Sequence, residues 1–182
     1  METRRYRRLA SIIAMLFACL ATGRAPAAGD GCTGFTWDVQ AELAALARPA
    51  VRIRAGRDSA AAPLIGKARA YRVALAPQSA VHFAAGPGKF SEAGGRFAGL
   101  ARVKIPRPGR YRVSLDAGAW VDVVVAGNVV QASAYTGSHE CARLRKVVEF
   151  QLPSGSAIIQ VSDSPADHVR LLVTASTYRP DT

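Results

Sequence analysis

Past Pro49 the side chains alternate between apolar and polar. Val51 and Ile53 flank Arg52. Tyr71, Val73 and Leu75 flank Arg72 and Ala74. Val81 and Phe83 flank His82. Ala101, Val103 and Ile105 flank Arg102 and Lys104. Tyr111, Val113 and Leu115 follow with Arg112 and Ser114 between them. The same rhythm returns at 121–125, 148–152, 159–161 and 169–173. A period of two over several residues is the signature of a strand with one face buried.

Before Pro49 the period differs. Val39, Leu43, Leu46 and Ala47 recur at helical spacing, Glu42 lies in the first turn, and Pro49 ends the segment. Thr36 or Asp38 is the expected cap. The expected turns are Pro106–Gly109, Gly127-Asn128 as a hairpin, Pro153–Gly155 and Asp163–Pro165. Eight or nine short strands and one helix predict an all-β fold, an antiparallel sandwich or barrel, and one apolar face per strand favours two sheets packed as a β-sandwich. Segments 55–68 and 84–97 carry no strand rhythm; the second holds four glycines and reads as a long loop of the kind that often carries function.

Residues 1–28 stand apart. Arg4, Arg5, Arg7 and Arg8 precede an apolar run, and Ala25-Pro26-Ala27-Ala28 offers small residues for cleavage, the pattern of a secretory signal peptide. The apolar run is shorter than the roughly 20 residues that span a bilayer. Leu16-Phe17-Ala18-Cys19 is a loose lipobox, a weaker reading because Phe17 is bulky and a better cleavage site follows. Residues 29–182 are then a single domain in the periplasm or outside the cell. The chain carries a net +11 over 182 residues. The leader holds five of the arginines and one glutamate, so the mature charge is +7, which weakens any case for nucleic acid. Cys19 leaves with the leader, and Cys32 and Cys141 are expected to pair in an oxidising compartment.

Several motifs fail on inspection. Gly86-Pro-Gly88-Lys89 lacks both the upstream glycine and the following Ser or Thr of a phosphate loop. His139-Glu140 has no second histidine at zincin spacing, and no Gly-x-Ser-x-Gly elbow exists. His82, His139 and His168 with Glu140 could supply a two-histidine, one-carboxylate iron site, but nothing in their spacing requires it. The expectation is no cofactor.

Two constellations remain. Arg102, Lys104, Arg110 and Arg112 share one basic face if their strands pair as a hairpin; such a face either attracts an anionic surface or is simply solvated, with Asp116, Asp122 and Glu149 near enough to pair. Trp120 and Asp122 point to one side of their strand, with Tyr135 close by, and an indole beside a carboxylate suits a glycan. The alternative is that the helix or a loop covers Trp120. The expected partner is a glycan or an envelope protein, bound without catalysis.

The run Phe97-Ala-Gly-Leu-Ala-Arg-Val-Lys-Ile-Pro-Arg-Pro-Gly-Arg-Tyr-Arg-Val-Ser-Leu-Asp, with Ala119-Trp-Val-Asp-Val-Val after it, resembles the middle of jelly-roll modules. Together with Lys146-Val-Val-Glu-Phe-Gln-Leu and Val169-Arg-Leu-Leu-Val-Thr it is similar to a set of small exported bacterial all-β proteins of unknown function. Some of these carry a homogentisate 1,2-dioxygenase label. That label implies iron held by two histidines and a glutamate, although no ligand can be matched residue by residue.

Overall fold

The computed structural model describes residues 31–92 and 94–176. The leader, with its cleavage site and lipobox, lies outside them. Among the described residues one α-helix, α1 (Gln40–Ala47), precedes twelve strands. The first sheet joins β1 (Val51–Arg54), β3 (Tyr71–Ala74), β12 (His168–Ala175), β6 (Gly109–Leu115), β10 (Lys146–Leu152) and β9 (Ala132–Gly137), in that order. The second joins β2 (Leu64–Ile65), β5 (Phe97–Ile105), β11 (Gly155–Ser164), β7 (Trp120–Val125) and β8 (Asn128–Val130), and β4 (Ala76–Pro77) pairs with the start of β5.

The two sheets face one another across a dry layer, as the alternation requires. Val103, Ile105, Val121, Val123 and Ile159 meet Val113, Leu115, Phe150, Leu171 and Val173 there. The sandwich expectation holds. The sheets are mixed, however: β1–β3 and β2–β5 pair in parallel. Residues 81–83 form no strand; they follow a short 3₁₀ turn at Gln78–Ala80.

The outer faces are not simply polar. On the first sheet α1 seals a second apolar layer in which Leu43 and Leu46 meet Val147 and Leu172. On the second sheet segments 55–63 and 76–84 cover Ala98 and Leu100, with Val81 and Ala62 inserted. A strand pattern cannot report such covers, because a covered outer position and a wet one can both be occupied by Ala or Leu.

The helix face also differs from its expected set. Glu42 is buried and Ala47 exposed. Val39 occupies the N-cap position without a side-chain cap, while Asp38 Oδ1 accepts the Gln40 N–H at 2.9 Å and the Thr36 N–H goes to Thr136 Oγ1. The C-terminus stops at Arg48, whose backbone is driven extended by Pro49. Arg170, from β12, donates to the Leu46 and Arg48 carbonyls and so serves the helix end.

Cys32 and Cys141 form a disulfide that ties the segment before α1 to the connection between β9 and β10. The hairpin between β7 and β8 sits one residue earlier than expected: Val125 pairs with Asn128, and Ala126 (φ 49°) and Gly127 (φ 80°) make the turn.

Candidate functional site

β8 pairs only with Val123–Val125 of β7. The first half of β7, Trp120 to Asp122, therefore has β11 on one side and, among the described residues, no strand on the other. β9, the edge strand of the first sheet, follows β8 directly through Gln131. Between these two edges the sandwich opens into a cleft of about 440 Å³.

The second sheet lines this cleft with Trp120, Val121 and Asp122, and β8 adds Val129 and Val130. The first sheet contributes Tyr135, Lys146, Val148 and Phe150. Three large apolar side chains of the rim stay in water: Trp120 is 39% exposed, Val129 46% and Tyr135 76%. The three candidates Trp120, Asp122 and Tyr135 thus line one cavity, although they come from both sheets.

Trp120 and Asp122 lie on the opposite face of β7 from the core residues Val121 and Val123. The indole Nε1–H donates to Asp122 Oδ1 at 2.9 Å, and the Gly88 N–H donates to Asp122 Oδ2 at 2.9 Å. Asp122 is only 6% exposed. Each of its oxygens accepts one hydrogen bond from the protein, while the residue also lines the cavity. It also fixes the indole. A Cβ at position 88 would lie 2.6 Å from Trp120 Nε1 and 3.0 Å from Asp122 Oδ1, so a glycine is required there.

The 84–92 stretch is anchored across the second sheet. Gln160, fully buried, accepts the Ala84 N–H and donates to the Ala85 carbonyl. Ser162 donates to the Lys89 carbonyl. Asp163, in the left-handed region at φ 52° where β11 bulges, receives Lys89 Nζ at 2.8 Å and Arg96 Nε at 3.5 Å. The long loop therefore belongs to the site through Gly88. Its later part, with Phe90, Glu92 and Arg96, lines a separate depression of about 310 Å³.

Lys146 is the residue the sequence did not single out. Its Nζ sits 5.3 Å from the Trp120 ring centroid and donates to the Ala119 carbonyl at 2.9 Å. Burial is the main cause that lowers its pKa, and Lys89 and Arg145 lower it further. The signal was available: Lys146 shares the inward parity of Val148 and Phe150, an unusual place for an ammonium.

The basic face does not form. β5 and β6 lie in different sheets, so the Pro106–Gly109 segment is an arch across the sandwich. Arg102 and Lys104 stay on the second sheet, where Arg102 Nη2 donates to the Ser59 carbonyl at 2.6 Å. Arg110 and Arg112 belong to the first. Arg112 is 2% exposed beneath α1, with Glu42 at 3.3 Å, Glu149 at 3.4 Å and the Trp37 ring at 5.1 Å. Arg110 lies 3.7 Å from the same Glu149.

The histidines do not converge either. His82 is exposed, with its backbone N–H on the Arg57 carbonyl, His139 meets Arg145, and His168 Nδ1 lies 2.7 Å from Asp167. Among the described residues no three His, Cys, Asp or Glu side chains are grouped to hold a metal. These residues do not fit a two-histidine, one-carboxylate iron site, and Glu140 is exposed near His139. Among the described residues no helix is long and apolar enough to cross a membrane.

No protein-family model matches the chain, and no curated protein does. One solved structure similar to it is a β-glucosidase from Paenibacillus barengoltzii, at 13% identity and a TM-score of 0.30. The match covers 69% of this chain and 13% of the glucosidase, so the chain spans a small part of that protein.

Proposed function

We propose that this protein is an exported, non-catalytic ligand-binding β-sandwich whose ligand, a glycan, seats in the cleft between Trp120 and Tyr135. The observation that carries this is the indole itself. Trp120 is more than a third exposed at the mouth of a cavity and is held in place by a buried carboxylate. A large aromatic ring fixed in one pose and left wet is a stacking platform for the C–H face of a sugar ring. Tyr135 stands across the opening from the other sheet with its hydroxyl available to sugar hydroxyls.

Export is supported by the leader pattern and by the Cys32–Cys141 disulfide, which suits an oxidising compartment. The test is a glycan array probed with the mature protein and with Trp120→Ala and Tyr135→Ala. Both variants should lose the signal. Signal retained in Trp120→Ala removes the cleft from the reading.

A further inference from the structure

We infer that the ligand of this cleft carries an anionic group and that Lys146 receives it. The inference rests on reading the cleft as a ligand site, and it adds the chemistry of what enters. Lys146 lines the cavity from the first sheet, with only part of its surface in water. Of its three N–H donors one goes to the Ala119 carbonyl. Among the described residues no carboxylate pairs with it, and the charges that act on it most are two further cations, Lys89 and Arg145.

Both of these cations have partners of their own. Lys89 is paired with Asp163, and Arg145 reaches the His139 carbonyl at 2.6 Å. Among the described residues the acid on the lining is Asp122, whose carboxylate is turned to the Trp120 and Gly88 N–H groups and makes no ion pair with Lys146. The cavity therefore presents a half-desolvated ammonium that has no ion-pair partner among the described residues, beside the aliphatic walls of Val129, Val130 and Val148. A partly buried cation without an ion-pair partner carries a desolvation cost, and an incoming anion beside apolar walls makes a charge-assisted hydrogen bond with it. The matching ligand has a carboxylate next to a face of C–H groups. An acidic sugar meets both demands; so does an amphiphilic carboxylate.

The test is calorimetric titration of the mature protein with a galacturonate oligosaccharide, its neutral galactose counterpart and decanoate, repeated with Lys146→Gln and with Trp120→Ala. The galacturonate should bind at least about tenfold more tightly than the neutral sugar, and Lys146→Gln should erase that difference. Raising salt from about 0.05 to 0.5 M should weaken the acidic sugar and leave the neutral one unchanged, a readout that needs no variant. Equal, salt-insensitive binding of both sugars overturns the anion and keeps the glycan site. Decanoate bound through Lys146 with neither sugar bound keeps the anion and removes the glycan. No binding of any of the three overturns both.

Discussion

The Trp120 indole and the Asp122 carboxylate, two residues apart on one face of β7, are joined by a 2.9 Å hydrogen bond whose acceptor also anchors Gly88. One buried side chain thereby sets the pose of the ring and the position of the loop beside it. Asp122→Ala should release both. The indole N–H cross-peak of Trp120, one of two tryptophans in the chain, should shift upfield and broaden in an NMR spectrum, and the amide of Gly88 should exchange faster. Stability should fall by about 1–3 kcal/mol, since two donors lose a charged acceptor. An unmoved indole resonance would mean that Trp120 is positioned by packing alone.

Arg112 carries a second prediction. It lies between Glu42 and Glu149, with its Nη1 also 3.1 Å from the Asp38 carbonyl. Thr174 and Ser176 supply hydroxyls to the two glutamates. Arg112→Met removes the cation beside Glu42 and leaves Glu149 with Arg110 at 3.7 Å. The expected loss is about 3–5 kcal/mol, measured by urea denaturation. Replacing the three together, as Arg112→Met with Glu42→Leu and Glu149→Leu, should cost far less, because the charge left behind, on Arg110, reaches water. Equal losses in the single and triple variants would show that the arginine contributes through packing.

Arg112 also shows where sequence reading reaches its limit. The period of two gave the strands and the inward set, and the dry layer follows from it. It could not say which strands pair, because a Pro-Gly segment closes a hairpin or arches between sheets with the same residues. With β5 and β6 in different sheets, four cations that look coplanar separate, and one ends under a helix. The Trp120, Asp122 and Tyr135 grouping was legible because parity alone places Trp120 with Asp122, and the short turn at Gly127 brings β9 alongside. The role of Asp122 was not, since its two partners come from the indole itself and from a loop 34 residues away. Lys146 was missed because a lysine at a strand end is ordinarily solvated, and only the opening between the edge strands makes it a cavity residue.

Asp116 gives a pH dependence. Burial raises its pKa above 3.8, outweighing the Arg170 N–H it accepts at 2.7 Å and the charge of Arg170. An acid whose folded pKa is raised contributes stability that is full below the unfolded value and is lost as pH rises through the folded one. Asp116→Asn keeps an acceptor for the Arg170 N–H and cannot ionise. The variant should match the wild type near pH 3 and melt at a higher temperature at pH 7. A variant less stable at pH 7 than at pH 3, relative to wild type, would show that the attraction to Arg170 outweighs desolvation.

The disulfide between Cys32 and Cys141 spans 109 residues. In the chain-entropy argument a loop of that size stabilises by about 4–5 kcal/mol. Its packing neighbours are the apolar residues under α1, Leu43, Leu144 and Leu172 among them. Cys32→Ser with Cys141→Ser should therefore lower the melting temperature markedly and expose α1 to proteolysis before the sandwich itself opens. Cleavage that begins in the β strands at the same protease concentration would place the disulfide's effect in the main core.

The turn between β7 and β8 couples backbone strain to the cleft. Ala126 has φ 49° and Gly127 φ 80°, the two left-handed positions of a primed hairpin turn. Glycine meets this without strain, while an alanine pays roughly 1 kcal/mol for its Cβ. Asparagine tolerates the left-handed region better, because its short polar side chain bonds locally. Asn128 Nδ2 already donates to the Ala126 carbonyl at 3.1 Å, a main-chain contact that the substitution leaves in place. Ala126→Asn should raise stability by a few tenths to about 1 kcal/mol in a thermal melt. It should also tighten ligand binding slightly, since the turn carries Val129 and Val130 into the cavity wall and a better-formed hairpin holds them in register. A loss of stability would show that residue 126 is set by its neighbours rather than by its own backbone preference.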